Sequence, residues 1–104
     1  MVRKVIDGKL YDTSTADEIA TYENTNDIGN FHHFSETLYK TKKGAWFIYG
    51  EGGALSKYAE TGPGYSSQGE DITVLTDDEA MGWLEEYNFP ELVLEYFPEA
   101  IEEA

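Results

Sequence analysis

The residues best placed to do chemistry are a glycine-rich stretch, a histidine pair and a large excess of carboxylates. The stretch Gly50-Glu51-Gly52-Gly53-Ala54-Leu55-Ser56-Lys57 sets glycines, whose backbone N–H groups can approach an anion, beside a lysine. A P-loop, however, needs G-x-x-x-x-G-K-[ST] opening a helix. Here Lys57 follows Ser56, and Glu51 stands where a phosphate would have to come. A tight turn after a strand is therefore expected. His32 and His33, with Asp27 and Glu36 near by, offer metal-ligand chemistry. A strand would send the two imidazoles to opposite faces, which argues against a shared metal. Carboxylate pairs can be drawn anywhere among 21 acids and carry no weight without a pocket. The single arginine, Arg3, supplies no clamp of the kind that phosphate or carboxylate chemistry uses. These observations predict a non-enzyme with no catalytic residue, no metal and no cofactor.

The distribution of charge says more than its total. Residues 1–57 carry eight acids and all seven bases, whereas residues 58–104 carry thirteen acids and no base. The second segment repels nucleic-acid backbones and attracts basic surfaces. Within it Glu91, Glu95, Glu99 and Glu103 recur every four residues, with Glu86 and Glu102 near by. Like charges at i,i+4 destabilise a helix by about 0.2–0.5 kcal/mol per pair. Four residues rise about 6 Å along a helix, a spacing of the order of that between successive phosphates. A row of carboxylates can therefore imitate a phosphate row. The competing reading is a solvated face that keeps the protein soluble, and Pro98 stands where it can break the row.

The elements that must position these groups follow from local signals. At 104 residues one domain with one modest core is expected, spanning 1–104. Val5-Ile6-Asp7-Gly8-Lys9-Leu10 is a hairpin signal, since Asp-Gly suits a turn with positive φ at both positions. Thr15 and Glu18 form a capping-box pattern that predicts a short helix over 16–23, closed by the polar stretch Asn24–Asn30. Strands are expected at 34–41, 45–49 and 71–75, with Trp46 and Ile48 on one face and Phe47 and Tyr49 on the other. The turn formers Thr61–Gly69 predict a loop. Thr76 and Glu79 form a second capping box ahead of Ala80, Trp83, Leu84 and Tyr87, giving a helix over 77–87. Pro90 suits the first turn of a further helix, and Pro98 kinks or restarts the chain. Trp46, Trp83, Leu84 and Tyr96 are the expected core. The fold class is α+β, a small antiparallel sheet of three to five strands with two to three helices mainly on one face.

Leu38-Tyr39-Lys40-Thr41-Lys42-Lys43-Gly44-Ala45-Trp46-Phe47, continued by Gly50-Glu51-Gly52-Gly53 and Ser56-Lys57-Tyr58-Ala59, resembles a family of small proteins carried by phages and other bacterial mobile elements. The likeness extends from Lys9-Leu10-Tyr11-Asp12-Thr13 to the helix after Thr76 and brings no catalytic residues with it. Small size and heavy acidity are similar to anti-CRISPR and anti-restriction proteins, many of which occupy nucleic-acid sites on host nucleases. That similarity implies an inhibitor whose partner is a host nucleic-acid-handling protein with a basic surface; the charge and spacing point to Glu86, Glu91, Glu95, Glu99, Glu102 and Glu103 as its contact, and a cytoplasmic location is expected. Direct nucleic-acid binding and membrane association are not expected, since no apolar run approaches a membrane span and the chain starts without the apolar stretch of a signal peptide. The alternative is an interaction module that binds through its aromatic sheet and the Gly50–Lys57 loop, its acids serving solubility alone. A third class, a small hydrolase or nucleotide-binding protein built on the glycine loop, would be stabilised thermally by nucleotide.

Overall fold

A computed structural model describes residues 2–25, 27 and 29–104. Met1, and Asn26 and Ile28 within the expected polar break, lie outside the described residues. The Asp7-Gly8 turn forms with φ of 51° and 76°, the left-handed pair that a two-residue hairpin requires. It joins β1 (Arg3–Ile6) to β2 (Lys9–Asp12).

The next segment corrects an expectation. Residues over the predicted helix 16–23 form a strand, β3 (Asp17–Glu23). Thr15 does not cap a helix because Asp12 takes control of the turn before it. The Asp12 carboxylate accepts from the Ser14 N–H and hydroxyl at 2.8 and 2.7 Å, and its carbonyl accepts the N–H groups of Thr15 and Ala16. Such local hydrogen bonds compete with helix formation. Ile19, Thr21 and Tyr22 also suit a pleated surface, and β4 (Phe34–Lys40) offers a complete antiparallel partner. A bulge between Glu18 and Ala20 lets the consecutive residues Ile19 and Ala20 both pack on the helical side.

β5 (Trp46–Gly52) follows and is one of the two inner strands, in keeping with apolar residues on both its faces. The chain then leaves the sheet for a small hairpin of β6 (Glu60–Gly62) and β7 (Tyr65–Ser67), where a plain loop was expected. Pro63 presets one turn position, and Gly64 supplies the positive φ of 76°. The chain returns as β8 (Gly69–Leu75), giving one antiparallel sheet in the order β3-β4-β5-β8. The expected strands are thus present, but β5 runs on through Gly50, Glu51 and Gly52, where a tight turn was expected, because β4 and β8 both pair with it that far.

Both faces of β5 are covered. Trp46 and Ile48 meet Leu38, Ala80, Trp83, Leu84 and Val93 on the helical face, whereas Phe47 meets Tyr11 and Ile72 on the other. The helical face is built by α1 (Asp77–Glu86) and α2 (Pro90–Tyr96). The Thr76 capping box closes as predicted: the Glu79 N–H donates to Thr76 Oγ1 at 3.2 Å, and the Thr76 N–H donates to Glu79 Oε1 at 2.9 Å. Asn88 ends α1 in the left-handed region with φ 63°. The N–H groups of Phe89 and Asn88 then satisfy the carbonyls of Leu84 and Glu85, a Schellman closure that aims the chain into α2. Trp46, Trp83 and Leu84 are buried, and Tyr96 is half-buried against the Trp46 ring at 5.5 Å.

Candidate functional site

The helical layer carries all the acids named from the sequence, and every one is exposed. Glu86 is the last residue of α1, and Glu91 and Glu95 lie four residues apart on α2. Beyond them the row departs from a straight helix. Phe97 leaves helical geometry at φ −133°, a 3-10 turn spans Pro98–Ala100 and carries Glu99, and Glu102 and Glu103 follow in irregular chain. Proline cannot donate the N–H that would continue α2. The six carboxylates therefore sit on four consecutive segments rather than one rigid rod.

The same layer holds acids that the four-residue pattern did not pick out. Asp77, Asp78 and Glu79 form the first turn of α1, and Glu85 stands beside Glu86 at its end. All ten acids from Asp77 to Glu103 are exposed, and among the described residues none forms an ion pair. Three of the seven bases are engaged elsewhere: Lys4 with Asp71 at 2.9 Å, Lys42 with Asp17 at 2.6 Å, Lys57 with Glu36 at 2.8 Å. Lys40, which reaches the helical layer, lies over the rings of Trp46 and Tyr96 at 5.1 and 5.2 Å.

Position along each helix decides what these charges do to the fold. Acids in a first turn complement the positive end of the helix dipole, so Asp77, Asp78 and Glu79 stabilise α1. Glu85 and Glu86 sit at the negative end, as does Glu95 on α2, and neither helix has a base in its last turn. Each such misplaced charge costs about 0.3–1 kcal/mol at an exposed site.

Beside the apolar core, α1 is tied to the sheet by a buried carboxylate that the sequence did not single out for this role. Glu36 on β4 is 3% exposed and lies under the helices. The Trp83 Nε1–H donates to its Oε1 at 3.0 Å, and the Tyr58 hydroxyl donates to Oε2. Lys57 Nζ stands 2.8 Å from the same Oε2. Burial alone would raise the Glu36 pKa, but the hydrogen bonds from Lys57, Tyr58 and Trp83 outweigh it and hold the carboxyl below its ordinary range. The Tyr58 phenol is pushed well up, by burial first and by its bond to Glu36 second. A carboxylate so fully satisfied is a poor proton acceptor and a good anchor. It ties α1 through Trp83, and the chain after β5 through Lys57 and Tyr58, to the centre of the sheet.

The glycine stretch serves that anchor. Gly50 lies opposite Glu36 in the sheet register, and a Cβ there would come within 1.9 Å of Tyr58 Cζ. Only a glycine lets the phenol cross the strand and reach the carboxylate. The Gly53 and Leu55 N–H groups donate to the carbonyls of His33 and Phe31 at 2.8 and 2.9 Å. Backbone donors that a phosphate would need are thus already spent. His33 Nε2 lies 3.2 Å from Glu23 Oε2, and the His32 N–H bonds Asn30. Among the described residues no group of three or more histidine, aspartate or glutamate side chains is arranged to hold a metal, and no helix is long and apolar enough to cross a membrane.

No protein-family model matches the chain, and no curated protein or solved structure matches it.

Proposed function

We propose that this chain is a non-enzymatic binding protein that lays the acidic surface of α1, α2 and the following turn onto the basic, nucleic-acid-binding groove of a host protein. It acts there as an inhibitor of the anti-CRISPR or anti-restriction kind. The observation that carries the reading is the placement of Glu85, Glu86 and Glu95 at the C-terminal ends of two helices with no base near in sequence. A face selected for solubility alone has no reason to put charge where the helix dipole opposes it. A basic partner removes that penalty on contact and is steered to the site from a distance.

The competing surface, the aromatic sheet with the Gly50–Lys57 loop, has less to offer a partner. Trp46, Phe47 and Ile48 are buried, and Lys57 and Tyr58 are committed to Glu36.

Capture of proteins from a lysate of the host on the immobilised chain tests the proposal. Proteins retained at low salt should be released both by salt and by added nucleic acid at matched ionic strength. Retention undisturbed by nucleic acid would contradict it.

A further inference from the structure

An apolar groove opens in the middle of the acidic layer. The Schellman turn after α1 and the 3-10 turn after α2 bring Leu84, Phe89, Val93, Leu94 and Ile101 around one cavity of about 390 Å³. Its floor is core, since Leu84 and Val93 are buried, but its lips are open: Leu94 is 52% exposed and Ile101 38%. Four groove residues are each followed directly in the chain by a glutamate: Leu84 by Glu85, Pro90 by Glu91, Leu94 by Glu95 and Ile101 by Glu102. Glu85 lines the groove itself, and Glu91, Glu95 and Glu102 are exposed residues next in the chain to lining residues, so the apolar slot has carboxylates about it, none of them in an ion pair among the described residues.

We infer that this groove takes an apolar side chain from a cationic amphipathic segment of the partner protein, with lysines or arginines of that segment meeting the rim glutamates. The inference rests on the proposed acidic-surface reading and adds to it the anchor that charge alone does not provide. Charge complementarity selects the occupant. A second copy of this chain, docked about a two-fold axis through the groove, would bring rim acids against rim acids, with no base beyond Lys57 to relieve them. An anionic membrane surface is repelled for the same reason. A helix with apolar residues at i, i+3 and i+4 and bases between them suits both the slot and its rim.

Two labelled helical peptides test this by fluorescence anisotropy: one of lysine and leucine at that spacing, the other with glutamine replacing each leucine at equal charge. The leucine peptide should bind about tenfold more tightly or better, from the burial of one large apolar side chain. Leu94→Gln with Ile101→Gln should erase that difference while leaving the salt dependence and the circular dichroism spectrum unchanged. Leu94→Ala alone should reduce the difference, which guards against misfolding of the double variant. Equal binding of both peptides, with loss on Glu91→Lys and Glu95→Lys, would overturn the groove and leave the acidic surface standing. Binding insensitive to salt and to those reversals would overturn both.

Discussion

The indole N–H of Trp83 donates to the buried carboxylate of Glu36 at 3.0 Å across 47 residues of chain. This bond fixes the helix that carries Glu85 and Glu86 to the middle strands of the sheet. The acidic layer is thus presented on a rigid mount, and the mount makes separate predictions from the surface.

Trp83→Ala removes a core side chain and should lower stability by about 3–5 kcal/mol. Trp83→Phe keeps most of the apolar ring yet leaves one oxygen of Glu36 without its donor, for which we predict a loss of about 1–3 kcal/mol. Urea unfolding measures both. A phenylalanine variant as stable as the parent would show that the indole bond contributes nothing beyond packing.

Glu36→Gln keeps the shape and removes the charge that Lys57, Tyr58 and Trp83 address. The folded-state pKa of Glu36 lies below its unfolded value, so its contribution is present above the unfolded pKa, about 4.3. It is lost as pH falls through the lower folded value. The parent should therefore exceed Glu36→Gln in stability at pH 7, and the gap should close on acidification. A gap that stays constant down to the acid limit would contradict the assigned protonation.

Gly50→Ala sets a Cβ within 1.9 Å of Tyr58 Cζ, and the phenol must leave Glu36 to make room. Overpacking of this kind costs about 1–3 kcal/mol. In a Tyr58→Ala background the same change should be much milder, which a double-mutant cycle reads directly. Additive losses would mean that Gly50 matters for reasons unrelated to Tyr58.

Local signals made much of the fold legible in the sequence. Asp7-Gly8, the Thr76–Glu79 box and the alternation of Trp46, Phe47 and Ile48 each act within a few residues, and each element formed. The capping pattern at Thr15 and Glu18 misled because Asp12, outside that pattern, holds the turn, and because β4 supplies a pairing partner that local reading does not see. Glu36 was visible only as a neighbour of the histidines, since Tyr58 and Trp83 lie 22 and 47 residues away. The acidic layer was legible as composition and spacing. Its break at Pro98 was legible too, but the groove inside it depends on how Ile101 returns toward Leu84, which no local pattern encodes.

With a net charge of −14 and ten exposed acids from Asp77 to Glu103 that form no ion pair among the described residues, self-repulsion should weaken the folded state at low ionic strength. Raising sodium chloride from about 0.02 to 0.5 M screens these charges. A gain of about 1 kcal/mol, or about 4–8 °C in melting temperature, is predicted for a domain of this size. The exposed pairs Lys4–Asp71 and Lys42–Asp17 weaken in the same salt but are worth little. A falling melting temperature would mean that the ion pairs outweigh the repulsion.

The most direct test of the binding claim is the affinity of the triple variant Glu91→Lys, Glu95→Lys and Glu99→Lys for a captured partner, measured beside the parent at low salt. All three residues are exposed, so each change should shift stability by less than about 0.5 kcal/mol and leave the fold intact. The acidic-surface account predicts that binding is abolished while the circular dichroism spectrum remains that of the parent and the melting temperature does not fall. Undiminished affinity in a folded triple variant would contradict it and return attention to the Gly50–Lys57 loop.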